Sequence, residues 1–406
     1  MTTELRVLSP SEWDVWYSAL ERTFGDGDKG SEHRELVRSL THYDRSLGVY
    51  DGDECVGTAG SFPFEVTVPG GSLVPSAGVT MVSVAATHRR RGILTSLMRR
   101  QLDDVRERGE PLAVLLASEP AIYGRFGYGI ASRRLRADID TSRVRLDGPA
   151  EDGDAIRLRQ VAPADAMAAC EAVYAGIVPT RPGMIDRLPG WDRLQVFDRD
   201  PSAPLQCVLA ERDGEVSGYA LFRHRSSWNA AGPDGTVELR ELNALDASSY
   251  AALWRFLFGI DLTSTLSCDN RPADDPLFHL VSDPRRCALR VWDGLHLRPV
   301  DVGAALAART YRVPVDAVLE VEDSFCPWNE GRWRLSGDHK GAVCERTADA
   351  ADLVLSVRDL GALYLGGSSL RELEGAGRVR AVSPAVVETA SMAFGSDVAP
   401  WVPHDF

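Results

Sequence analysis

The chain has 406 residues, enough for two or three domains at roughly 150 residues each, which excludes a single small binding module. Hydrophobic residues make up 44% and charged residues 26%, as in globular chains, which excludes disorder. Lys plus Arg number 45 against 59 for Asp plus Glu; the net charge of −14 argues against nucleic acid as the main partner and suits a cationic substrate or plain solubility.

The seven cysteines, Cys55, Cys170, Cys207, Cys268, Cys287, Cys326 and Cys344, are widely spaced and form no Cys-x-x-Cys. That is the pattern of reduced thiols in a cytoplasmic protein, and no metal site is expected. Residues 1–20 carry Glu4, Arg6, Glu12 and Asp14 and lack the apolar stretch of a signal peptide. The longest uncharged run, 66–88, is broken by Pro69, Gly70, Gly71, Pro75 and Gly78, so it reads as strands and a turn with no membrane span.

The first ~50 residues read as amphipathic helix, with Trp13, Trp16 and Leu20 at helical spacing. A hairpin follows, 47–50 and 56–59 about the turn Asp51-Gly52-Asp53-Glu54. Residues 79–84 alternate as a strand, and Leu94, Leu97, Met98, Leu102 and Val105 mark one face of a helix. Gly109 and Pro111 stop that helix, and 112–117 is a buried strand. After a linker rich in Asp, Gly and Pro at 141–154, the order returns. Strands at 207–210 and 216–221 flank Asp213-Gly214, then come a strand at 237–245, a helix at 247–260 and a strand at 262–268. An internal repeat of about 160 residues is predicted. From Pro299, strands at 315–321, 333–336, 342–346 and 353–357 precede helices near Leu360, at 370–373 and at 384–394, an α+β unit.

The segment from Val82 to Leu94 carries the chemistry. Arg89, Arg90, Arg91 and Gly92 stand between a strand and the first turn of a helix, an end that is already positive. Three cations there make sense if an anion joins them. Backbone N–H groups from 90 to 94 can bind phosphate oxygens, with Gly92 permitting close approach. A solvated basic patch is the plainer alternative.

A strand followed by Arg89-x-x-Gly92-x-Leu94 resembles the acetyl-CoA pyrophosphate loop of the GNAT superfamily of N-acetyltransferases, Gln/Arg-x-x-Gly-x-Gly/Ala, with Leu94 departing at the last position. Downstream stands Leu116-Ala117-Ser118-Glu119-Pro120-Ala121-Ile122-Tyr123-Gly124-Arg125-Phe126-Gly127-Tyr128-Gly129. Together the two segments resemble the Eis (enhanced intracellular survival) family, and the resemblance covers the whole chain. It implies α/β and α+β architecture: two tandem GNAT-like domains, 1–145 and 146–298, the second without a cofactor loop. A C-terminal sterol-carrier-protein-like α+β domain, 299–406, would follow and supply the terminal carboxylate. The resemblance also implies a homo-oligomer, a hexamer, that needs neither membrane nor nucleic acid. Its activity would be acetyl transfer from acetyl-CoA, a co-substrate, to primary amines of small cationic acceptors, in some members several amines of one aminoglycoside. Protein lysine as the acceptor, or a lipid or CoA carrier working through the C-terminal domain, are the alternatives.

Carried over residue by residue, Val82 and Val84 offer backbone hydrogen bonds to the pantetheine and acetyl group. Arg89, Arg90, Gly92 and Ile93 hold the pyrophosphate, and Ser118 orients the cofactor. Tyr123 is the general acid for the departing thiolate, since a phenol of pKa about 10 keeps its proton at neutral pH. From the residues alone, packing of Tyr123 and Tyr128 about a glycine-rich turn is the plainer reading. The carboxylate of Phe406 is the candidate base for the amine. The tail from Ala399, with two prolines, Trp401 and Phe406, reads as docked. Asp405 adds a negative charge, and His404 is either a surface residue or a participant. Trp13, Phe24 and Asp26 are candidates to hold a cationic acceptor, or else helix core and polar turn. In the second copy, Ala247-Ser248-Ser249-Tyr250 replaces the cationic loop, so no acetyl-CoA site is expected there.

Overall fold

The computed structural model describes residues 3–25, 30–147, 156–198, 200, 202–382 and 384–406. The chain divides into two compact units: Met1–Ser132 with Gly294–Pro400 and Asp405–Phe406, and Arg133–Asp293 with Trp401–His404.

The first unit begins with β1 (Glu4–Val7), α1 (Trp13–Phe24), α2 (Ser31–Leu40), β2 (Leu47–Asp51), β3 (Glu54–Thr67) and β4 (Leu73–Val84). It continues through α3 (Ile93–Glu107), β5 (Leu112–Leu116), α4 (Pro120–Tyr123) and β6 (Gly129–Ile130). In α1 the residues Trp13, Trp16, Tyr17 and Leu20 fall on one buried face, and Gly25, left-handed at φ 69°, ends the helix. Helix α3 buries Leu97, Met98, Leu102 and Val105 of the predicted stripe, while Leu94 is half-buried and Ile93 is buried at the first position. Strand β1 is an addition to the helical start read from the sequence; four residues are too few to display a period.

The second unit contains β7 (Arg133–Asp140), β8 (Arg157–Val161), α5 (Pro163–Ile177), α6 (Asp192–Val196), β9 (Leu205–Arg212) and β10 (Glu215–Arg225). There follow the two-residue strands β11 (Trp228–Asn229) and β12 (Gly232–Pro233), then β13 (Gly235–Ala244), α7 (Ala247–Phe258), β14 (Thr263–Pro272), α8 (Leu277–Leu280) and β15 (Arg290–Asp293). The chain then re-enters the first unit as β16 (Leu295–Pro299).

The repeat is visible in the topology. The first sheet runs β1-β2-β3-β4-β5-β16-β6 and the second β8-β9-β10-β13-β14-β7-β15. Each is antiparallel except at one pair in the same place, β4 with β5 and β13 with β14. The sixth position in each sheet is filled by the strand that follows the other repeat. Residues 133–140, placed by sequence in domain 1–145, therefore pair in the second sheet, and 295–298, placed in 146–298, pair in the first. Alternation of side chains shows a strand but carries no label of the sheet it joins. The second half of the expected linker, 148–154, lies outside the described residues.

The C-terminal part of the first unit holds α9 (Val302–Ala307), β17 (Val315–Glu322), β18 (Gly331–Asp338), β19 (Gly341–Arg346), β20 (Leu353–Ser356), α10 (Val357–Tyr364), α11 (Leu370–Gly375), β21 (Val379–Ala381) and α12 (Pro384–Phe394). Its five strands run β19-β18-β17-β20-β21, with β17 and β20 parallel. The α+β composition is as the sequence predicts. Among the described residues no helix is long and apolar enough to cross a membrane.

Candidate active site

Strands β4 and β5 pair only through Ser76, Ala77 and Gly78 opposite Leu112, Ala113 and Val114. Beyond Gly78 they part, β4 running on to Val84 and β5 to Leu116. A bulge turns β4: its register against β3 shifts between Thr58 and Gly60, and Met81 sits at φ 53°. Thr58 holds the bulge, its hydroxyl donating to the Met81 carbonyl at 2.7 Å and lying 2.7 Å from the Ser83 hydroxyl. One edge of β4 at Val82 and Val84 is thereby left open toward β5.

Past Val84, the chain makes a 3-10 turn at Ala86–His88, pinned by His88 Nε2 at 3.1 Å from Asp51 Oδ2. Arg89, Arg90, Arg91 and Gly92 are exposed. Arg90 (φ 64°) and Gly92 (φ 82°) are both left-handed, and no side chain caps the start of α3. Left-handed backbone beside helical backbone turns successive N–H groups to one point, a concavity suited to an anion. Such a backbone is strained at Arg90, as is typical where a ligand is clamped. Ile93, the first residue of α3, is buried. Arg89 also lines a cavity of about 220 Å³ with Arg22, Thr23, Glu54 and Cys55.

Ser118 is exposed just past β5. Tyr123 ends α4; it packs, with Val82 and Ala117, on the cluster formed by Met98, Leu102 and Leu115, so the two parted strands meet over one core. Burial, and secondarily the Glu119 carboxylate, pushes the Tyr123 phenol above its ordinary pKa. Tyr128 stands edge-on to it, centroids 6.1 Å apart. The Phe406 ring packs edge-on to Phe64 at 5.1 Å, and a β-carbon added to Gly78 would lie 3.4 Å from it, which puts the chain end where β4 and β5 separate.

The acceptor candidates are scattered. Phe24 is exposed at the end of α1, Asp405 is exposed, and Asp26 lies outside the described residues. Trp13 is 1% exposed, stacked on Tyr17 with centroids 4.7 Å apart, and its N–H donates to Thr41 Oγ1 at 3.0 Å. Its ring belongs to the core of α1 and α2. His404 is buried, its Nε2 3.2 Å from the Tyr174 hydroxyl. Thr58, Met81 and Phe64 shape the site but stayed hidden in the sequence, because a bulge has no fixed residue signature.

In the second unit the corresponding helix start is closed. Asp246 caps α7, its carboxylate accepting from the Ser248 and Ser249 N–H groups at 2.9 Å each, where an anion would otherwise bind.

An acetyltransferase (GNAT) domain model matches residues 4–131, a second acetyltransferase (GNAT) model matches 183–299, and a sterol carrier protein domain model matches 302–403. N-acetyltransferase Eis of Mycobacterium tuberculosis is 34% identical over 418 residues, covering 98% of each chain. The chain belongs to the Eis family of N-acetyltransferases. An uncharacterised N-acetyltransferase of Streptomyces avermitilis is 64% identical over 410 residues, the full length of both. The crystal structure of Eis1 from Mycobacterium abscessus superposes with a TM-score of 0.85 at 35% identity, covering 99% of this chain and all of that one. As an Eis-family enzyme the chain has acetyl-CoA as its co-substrate. Its open strand edge suits an amide-bearing arm, and the start of α3 suits a pyrophosphate.

Proposed function

We propose that this N-acetyltransferase moves the acetyl group of acetyl-CoA to primary amines of small cationic acceptors, aminoglycosides at more than one amine among them. The observation that carries this reading is the gap between β4 and β5, which has an uncapped helix start, a half-buried phenol and the chain end around it. The backbone of Val82 and Val84 receives the pantetheine arm, while Arg89, Arg90, Gly92 and Ile93 hold the pyrophosphate, and Ser118, just past the facing strand, orients the cofactor. The amine nitrogen attacks the thioester carbon and the C–S bond breaks. Tyr123 gives its proton to the departing sulfur and regains one from solvent. The Phe406 carboxylate takes the proton that the ammonium sheds before attack; the nitrogen loses its second proton to solvent as the intermediate collapses, so one proton is released for each amide and thiol formed. Asp405 and Phe24, both exposed, are an acidic and an aromatic contact for a cation, and Asp26 is assigned the same role from the sequence, in keeping with the net charge of −14.

The test is CoA release with tobramycin, a polyamine and a lysine peptide. Release with the first two is expected; release with the lysine peptide alone would transfer the acceptor class to proteins. Tyr123→Phe is expected to lower kcat by about 10²–10⁴-fold, the usual range for general acid catalysis. Because burial raises the Tyr123 pKa, the acid form persists past the ordinary tyrosine value, and the alkaline limb of kcat should lie above about 10. A peptide extension after Phe406 should abolish turnover while acetyl-CoA still binds; unchanged turnover would remove the terminal carboxylate from the mechanism.

A further inference from the structure

The segment that carries Tyr123 cannot hold its own shape. A four-residue helix followed by the 3-10 turn Gly124–Phe126 is far below the length at which a helix is stable alone. What fixes it comes from β16 and from the C-terminal domain, all within the first unit. Arg298 of β16 is fully buried; one guanidinium nitrogen donates to the Phe126 carbonyl and the other to Asp323 Oδ2 at 2.5 Å. Asp323 follows β17, and its own geometry is fixed by the Cys326 N–H at 3.0 Å and the Asn329 side-chain amide at 3.0 Å. Phe325 of the same loop packs edge-on to Phe126 at 5.1 Å.

The start of α10 closes the other side. A β-carbon on Gly127 would overlap the Arg298 guanidinium and come within 2.8 Å of Val357, and one on Gly129 would overlap the Arg358 carbonyl. The exposed guanidinium of Arg358 lies over Gly124, 2.9 Å from where its β-carbon would stand and one residue from Tyr123. The glycines of the turn are therefore the places where the C-terminal domain grips it.

We propose that Asp323, acting through Arg298, and Arg358 are positioning residues for the Tyr123 hydroxyl. This rests on the reading of Tyr123 as the acid. A displacement of about 1 Å at a reacting group is enough for a 10²-fold loss of rate, so a brace on this turn acts on kcat. The acetyl-CoA pyrophosphate contacts assigned to the start of α3 lie outside the braced segment, so KM for acetyl-CoA should not follow.

The experiment measures kcat, KM for acetyl-CoA and the thermal midpoint in Asp323→Asn, Arg358→Ala and Tyr123→Phe. Asp323→Asn is expected to lower kcat at least tenfold and Arg358→Ala severalfold, each with KM within twofold of the parent. Should Asp323→Asn fail to fold, Arg358→Ala decides, since its side chain is exposed. Unchanged kcat in the folded variants, or a fall matched by an equal rise in KM, overturns the proposal. Full turnover in Tyr123→Phe would overturn the acid reading itself, whereas loss there with full activity in Asp323→Asn and Arg358→Ala would remove only the brace.

Discussion

Arg309 is a buried cation in the C-terminal domain with no carboxylate paired to it among the described residues; its neighbours there are carbonyls and rings. Its guanidinium donates to the carbonyl of Tyr364, the last residue of α10, and to that of Phe394, the last of α12, at 3.0 Å for the latter. Helix C-termini end in unsatisfied carbonyls and carry partial negative charge, so one cation here closes two helices at once. The rings of Tyr311 and Phe394 lie 4.7 and 5.0 Å from it. Burial lowers the Arg309 pKa, but an arginine starts high enough to stay charged. Arg309→Met strands those carbonyls at roughly 1–3 kcal/mol each. The expected result is a clearly lower thermal midpoint with KM for acetyl-CoA unchanged, read from a melt and from steady-state kinetics.

The two helix starts, of α3 and α7, show what separates a binding element from a structural one. Both follow a strand whose neighbour is parallel, yet α7 begins with its own carboxylate on the N–H groups and α3 begins with a bare, left-handed glycine. Gly92→Ala places a β-carbon at φ 82°, at a strain of about 1–2 kcal/mol. The expected outcome is a several-fold rise in KM for acetyl-CoA with a thermal midpoint lower by only a few degrees, the effect of the strain alone, since no neighbouring atom lies within contact of an added methyl. The cationic loop was legible in the sequence because three arginines at a positive helix end are electrostatically misplaced without a ligand. Helix α3 was legible because its buried face repeats. The bulge at Met81 was not, because it depends on the registry of β4 against β3, and α5 was missed because its alanine-rich run has little contrast between faces.

At the scale of the whole chain, the recurring strand–helix–strand core of each repeat and the C-terminal α+β part were readable, while β1, α5 and the domain limits were not. For the limits, the reason lies in β7 and β16: each is a local strand whose partner is chosen by distant residues, Arg133–Asp140 by β14 and β15, Leu295–Pro299 by β5 and β6. Residues 1–145 expressed alone would lack β16 and leave β5 with a bare, apolar edge, so the fragment is expected in the insoluble fraction, against a soluble full chain. The same exchange sets a clock on biosynthesis. Leu116 finds its partner in Leu295, so the first sheet stays open while the ribosome makes everything between them, roughly 10–40 s at about 5–20 residues per second. The second repeat faces no comparable wait, because the strand it borrows has already been synthesised. The repeat written first is thus completed last, and during that interval the nascent chain depends on whatever shields β5 from its neighbours on the polysome.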